Sequence, residues 1–186
     1  MYEAPDATRS AGELLGMLAD LERRFQESAR NLPELETTES RWQGLAFQVA
    51  GVRLVSATVE LSELLPYPSM ISRVPGAQDW IVGIANVRGT LLPITDLQAY
   101  LGAKRLVPTK ASRVMVVRYG QLLSGLLVPA AFGMKQFDFE QHVPNARMEG
   151  TVGAYVSEAF QVEREIWPVF SIRALVSDPR FIAGAA

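Results

Sequence analysis

Gly83-Ile84-Ala85-Asn86-Val87-Arg88-Gly89-Thr90-Leu91-Leu92-Pro93-Ile94-Thr95-Asp96-Leu97 reads as a tight β-hairpin whose second strand runs into a helix. Apolar runs flank Arg88-Gly89; glycine takes the positive φ a hairpin turn needs, and arginine at a turn is carried into water. The helix is predicted over Asp96 to Leu101, ending at Gly102. A turn that presents a cation on a rigid hairpin points to a binding module.

Three further hairpins surround this one. Leu45, Phe47 and Val49 alternate with Ala46 and Gln48, and Ala50-Gly51 leads into Val52 to Val55. Arg113 to Tyr119 turns at Gly120 into Leu122 to Val128, and Tyr155 to Val162 turns at Glu163-Arg164-Glu165 into Ile166 to Phe170. Short helices are predicted over Val59 to Leu65 and Ser171 to Val176. The third and fourth hairpins echo the first and second, with Gly51 matching Gly120 and Pro93 matching Pro168. Short antiparallel strands hide their edges by curling into small barrels, and proline within a strand suits an edge or bulge because it donates no ladder hydrogen bond. The expectation is a mainly β chain of two barrels related by the repeat.

Ahead of the strands, Ser10-Ala11-Gly12-Glu13 has capping-box spacing, and Leu14, Leu18, Leu21, Phe25 and Leu32 recur at helical intervals. This predicts an N-terminal amphipathic helix followed by a Glu- and Thr-rich linker, so that 1–42 is a helical extension and 43–186 the barrel-bearing domain. The 186 residues are 48% apolar, enough for one core or two small abutting ones. No apolar run reaches the roughly 18 residues of a membrane span, and Met1 to Ser10 does not resemble a signal peptide. With no cysteine there is no disulfide or thiolate chemistry, and a cytoplasmic location is the expectation.

Residues 1–40 hold nine acids and four bases, whereas 41–186 hold eleven acids and fourteen bases. Lys104, Arg105, Lys110, Arg113 and Arg118 fall in a stretch without acids, but only Tyr119 accompanies them, so a nucleic-acid face is not expected. His142 is the one histidine, and no metal cluster or catalytic triad can be built around it. Glu60 with Glu63, and Glu163 with Glu165, are acid pairs that a solvated turn explains as well as acid–base chemistry. Trp42, Trp80 and Trp167 border strands and read as core or rim. No catalytic residue, metal or cofactor is expected.

Trp42-Gln43-Gly44-Leu45-Ala46-Phe47, Glu63-Leu64-Leu65, Val74-Pro75-Gly76-Ala77, Asn86-Val87-Arg88-Gly89 and Leu92-Pro93-Ile94-Thr95-Asp96-Leu97 resemble the CheW-like chemotaxis adaptor family in order and spacing over 43–177. The helical extension, Phe132-Gly133-Met134 and Ile166-Trp167-Pro168-Val169-Phe170-Ser171 are most similar to its PilI branch, the adaptors of type IV pilus twitching systems. One departure is Pro129, where the family usually has an acid.

The resemblance implies two five-stranded antiparallel barrels around an apolar seam and a scaffold with no activity of its own. It implies two partners, the regulatory domain of a CheA-type histidine kinase and the cytoplasmic tip of a methyl-accepting chemoreceptor, with no nucleic acid and no membrane insertion. By position it implies that Asn86, Arg88 and Gly89 form an arginine turn needed for coupling, and that Leu61, Glu63 and Leu64 contribute to a receptor-facing groove. Blander readings stand beside these: Arg88 as a solvated turn residue, Leu61 and Leu64 as core. The alternative functions are a flagellar-type coupling protein, or a barrel that binds a small ligand or single-stranded nucleic acid.

Overall fold

The computed structural model describes residues 41–185; the expected N-terminal helix lies outside them. The strands are β1 (Arg41–Val49), β2 (Val52–Ala57), β3 (Glu63–Pro66), β4 (Ile81–Val87), β5 (Thr90–Asp96), β6 (Arg113–Tyr119), β7 (Leu122–Val128), β8 (Ala130–Asp138), β9 (His142–Pro144), β10 (Val156–Val162) and β11 (Glu165–Phe170). Three short helices accompany them: α1 (Leu97–Tyr100), α2 (Ile172–Val176) and α3 (Pro179–Ala185). All four expected hairpins form. β1 begins at Arg41, so the expected 42/43 boundary falls inside it, and Trp42 packs in a core.

The strands form two curled sheets, ordered β8-β1-β2-β11-β10-β9 and β3-β6-β7-β5-β4. The first therefore has six strands rather than five, the extra one being the three-residue β9. Each sheet contains one parallel junction, β2 with β11 through Val55 and Val169, and β5 with β7 through Ile94 and Gly125. Each also mixes both halves of the repeat, since β3 pairs with β6 and β8 pairs with β1. The second sheet is drawn toward closure where Ser72 and Ile84 exchange backbone hydrogen bonds of 2.9 and 2.8 Å, joining the chain beyond β3 to β4 at the other edge.

The repeat is real, with a corrected register. Ala50 and Gly51, both at positive φ, are the two-residue turn of the first hairpin, and Gly120-Gln121 is that of the third. Ala50, not Gly51, therefore corresponds to Gly120. Matching glycine to glycine would slip the strands by one residue and exchange their faces. With this register Phe47 matches Val117 and Leu45 matches Met115, and all four face one core. Pro93 and Pro168 do correspond: Leu92 and Ile94 face the interior of the second sheet as Trp167 and Val169 face that of the first.

Strands β1, β2, β6 and β7 are covered on both faces, which is why they read as nearly continuous apolar runs. One face builds the seam between the sheets, from Leu45, Phe47, Val49 and Leu54 against Met115, Val117, Leu126 and Val128. The other faces present Ala46 and Val55, or Val114, Val116 and Leu127, to the two sheet interiors, one completed by aromatic residues (Phe137, Phe160, Trp167), the other by aliphatic ones (Leu92, Ile94). The corresponding residues Asp96 and Ser171 cap α1 and α2, accepting from the Ala99 and Ala174 N–H groups at 3.1 Å.

The helix expected over Val59 to Leu65 does not form. A single 3-10 turn, Thr58–Glu60, gives way to β3. Leucines at 61, 64 and 65 satisfy helical spacing, yet Glu63–Pro66 finds a ladder partner in β6, a pairing with a distant segment that local periodicity does not show.

Candidate functional site

The turn between β4 and β5 is Arg88-Gly89, with φ +51° and +84°, as a type I′ hairpin requires. The Gly89 N–H donates to Asn86 Oδ1 at 2.8 Å, so Asn86 braces the turn that Gly89 permits. The raised Arg88 side chain, three-quarters exposed, reaches Glu63 on β3, with a guanidinium nitrogen 2.8 Å from Oε1. Four residues singled out in the sequence, Glu63, Asn86, Arg88 and Gly89, thus form one connected device. The ion pair links β3 to the turn after β4, the two edges of the second sheet.

Beside this pair a cleft of about 220 Å³ opens into the aliphatic end of the sheet. Leu65, Leu92, Val116 and Leu123 line it, and Glu63, Arg88 and Arg118 stand among its polar lining. Leu64 is not part of it: alternation along β3 directs Glu63 and Leu65 one way and leaves Leu64 on the opposite face, 38% exposed. Leu61 is partly buried against the seam core.

In the repeat-related position of the first sheet the device is not duplicated. Arg88 corresponds to Glu163, Glu63 to Gly133 and Leu92 to Trp167. There Lys135 lies 4.4 Å from the centroid of the Trp167 ring, among Phe137 and Phe160.

The remaining candidates have structural partners. Glu60 and Glu63 diverge: the Glu60 carboxylate accepts from the Ile172 and Arg173 N–H groups at 3.0 and 3.2 Å, fastening the start of α2. His142 Nε2 pairs with Glu158 at 2.8 Å. Arg105 donates to the Ile81 carbonyl, and Arg113 to those of Lys110 and Ser112, so two of the five bases of that stretch are tied to backbone. Trp42 and Trp167 sit in the aromatic core, and Trp80 meets Tyr100 edge-on at the seam. No group of three His, Asp or Glu among the described residues is arranged to hold a metal.

One cluster escapes sequence reasoning. The Tyr155 hydroxyl donates to Asp178 Oδ2 at 2.7 Å, stands 3.1 Å from the Tyr100 hydroxyl, and accepts from Arg180 at 3.2 Å. Burial, reinforced by Tyr155, holds the Tyr100 phenol well above its ordinary pKa, and burial with the Asp178 hydrogen bond raises Tyr155. Hydrogen bonds from Arg180, then Tyr155, hold the Asp178 carboxyl well below the usual carboxylate range. The cluster anchors α3, whose Phe181 is buried in the seam. Asp178-Pro179 is a helix-start signal, but its tyrosine partners are distant in sequence.

Comparison with known proteins agrees with this architecture. Residues 43–180 match the family described as CheW-like domain. The chain is 33% identical over 169 residues to Protein PilI of Pseudomonas aeruginosa, covering 89% of this chain and 93% of that protein. It is 25% identical over 126 residues to Chemotaxis protein CheW of Helicobacter pylori, covering 66% and 75% respectively. The crystal structure of scaffolding protein TtCheW from Thermoanaerobacter tengcongensis superimposes with a TM-score of 0.64 at 20% identity, over 74% of this chain and 94% of that one.

Proposed function

The chain belongs to the CheW-like domain family, and from that premise we propose that it is a non-catalytic adaptor coupling a CheA-type histidine kinase to a methyl-accepting chemoreceptor in a system controlling type IV pili. The kinase docks through its regulatory domain and the receptor through its cytoplasmic tip, and the adaptor works in the cytoplasm at receptor arrays. The pilus assignment is supported by similarity to PilI over most of both chains.

The observation that carries the reading is the Arg88 turn. A two-residue turn needs no arginine, and an exposed ion pair adds little to stability, typically about 0–1 kcal/mol. Yet this turn is braced by Asn86 and holds its guanidinium at a preformed cleft. At about 220 Å³ the cleft falls below the roughly 300–1,000 Å³ of ordinary small-molecule sites, which favours a side chain of a protein partner over a free ligand. Glu63, Asn86, Arg88 and Gly89 form one contact surface, and Leu64, exposed on the other face of β3, contributes to a second; Leu61 backs β3 from the seam side.

The test is assembly from purified parts. The full chain, the kinase regulatory domain and a receptor-tip fragment from the same organism are run singly, in pairs and together by size-exclusion chromatography with light scattering. Binary complexes with each partner and one ternary complex are expected; failure of the chain to bind either partner would overturn the proposal.

A further inference from the structure

The charge at the cleft is unbalanced. Arg88 and Arg118 both line it, with Glu63 as its carboxylate. Glu63 is taken by Arg88 at 2.8 Å, whereas exposed Arg118 has no carboxylate within ion-pair distance among the described residues. Arg118 sits opposite Leu123 in the β6–β7 ladder and on the same face as Val116, which places its stem beside the apolar lining. The fold does not require this arrangement. In the repeat-related position Arg118 becomes Gln48, and aromatic rings fill the interior.

We infer that this cleft receives an acidic–aliphatic step of a partner polypeptide: an aliphatic side chain enters between Leu65, Leu92 and Leu123, and a neighbouring Asp or Glu carboxylate is held by Arg118. The inference rests on the adaptor reading and names the chemistry by which one partner is recognised. Glu63 sharpens the choice. It repels a carboxylate presented on its own side of the cleft, so an acidic residue is accepted only from the Arg118 side. The guanidinium fork gives a charge-assisted, bidentate contact with carboxylate that a neutral amide does not reproduce. A small apolar cavity flanked by such a fork is the anchor-and-charge arrangement that concentrates binding energy in a few residues.

The test uses the full chain, isotopically labelled, titrated by NMR with three blocked hexapeptides centred on leucine–glutamate, leucine–glutamine and alanine–glutamate. The leucine–glutamate peptide is expected to shift the methyl signals of Leu65, Leu92 and Val116 and the backbone of Arg118. The other two are expected to bind about tenfold more weakly, the equivalent of one charge-assisted hydrogen bond or one buried aliphatic group. Arg118→Ala should erase the preference for glutamate over glutamine, and Arg118→Glu should reverse it; an unchanged dispersed spectrum shows that each variant is folded. Equal binding of the three peptides, no shift at the cleft, or a preference that survives Arg118→Ala would overturn the inference. Titration of the same proteins with the kinase regulatory domain and with the receptor tip separates the two ideas. Tight binding that ignores Arg118 leaves the adaptor reading and removes the cleft's role, whereas peptide preference without regulatory-domain or receptor binding removes the adaptor reading alone.

Discussion

Glu63 opens one edge strand of the second sheet and Arg88 lies just past the other, and their 2.8 Å ion pair spans the gap between those edges. Arg88 is exposed and Glu63 only partly buried, so the pair adds little to folding. Glu63→Gln and Arg88→Ala should each cost less than about 1 kcal/mol, with a coupling energy in a double-mutant cycle of less than about 1 kcal/mol. Urea unfolding of the two single variants and the double variant measures this; a coupling of several kcal/mol would make the pair structural.

The other conspicuous glutamate of this region behaves oppositely. Glu60 accepts two backbone N–H groups at the start of α2 and stands 3.4 Å from the Ser56 hydroxyl, tying the first half of the chain to the last. Glu60→Ala leaves those donors without their charged acceptor and should cost about 1.5–3 kcal/mol. The expected sign is a lower urea midpoint at unchanged m-value, with partner affinity retained at temperatures where the variant is folded.

A third expectation concerns pH. The folded Asp178 carboxyl is depressed by Arg180 and Tyr155, so its contribution is complete above the unfolded value of about pH 4 and is lost as pH falls toward the folded value. Tyr100 and Tyr155 are raised, so theirs is complete below about pH 10 and is lost as pH climbs above it. Melting temperature should therefore fall on both sides. Asp178→Asn should flatten the acid limb and Tyr100→Phe the alkaline limb; limbs identical to the parent protein would show that other groups control them.

Gly83 sits where the second sheet is drawn toward closure. Its φ is +144°, and a Cβ there would lie 2.3 Å from the Ser72 carbonyl oxygen. Because backbone cannot yield as a flexible side chain does, Gly83→Ala should destabilise by at least about 2 kcal/mol. Hydrogen exchange should show lost protection at Ser72 and Ile84 before the other strands; a neutral variant would mean that this closure is dispensable.

Local chemistry explains what was legible in the sequence. Ala50-Gly51 and Arg88-Gly89 announce turns because few residues accept positive φ, and the alternation beside them fixes which side chains face a core. The proline pair at 93 and 168 marked the repeat for a different reason: proline donates no ladder hydrogen bond, so few strand positions accept it. Glycine at 120 misled by one residue, since it occupies the turn position held by Ala50. What stayed hidden is non-local. β3 is a strand only because β6 pairs with it, Glu63 meets Arg88 only across the curled sheet, and Tyr100 meets Tyr155 only after both halves have closed. The resemblance assigned Arg88 to a coupling turn and Glu63 to a separate receptor-facing groove, without joining them; the Arg118 side of the cleft carried no sequence signal beyond an unaccompanied charge.

On the adaptor reading, Arg88 serves recognition rather than folding. The most direct test of that role is isothermal titration of the kinase regulatory domain and of the receptor tip into the parent chain, Arg88→Ala and Arg88→Lys, with melting temperatures recorded on the same samples. Melting temperatures within about 2–4 °C of the parent are expected, with a loss of about 2 kcal/mol or more in binding to at least one partner and lysine a poor substitute because it lacks the guanidinium fork. Unchanged affinity for both partners, or a large fall in melting temperature, would contradict that role.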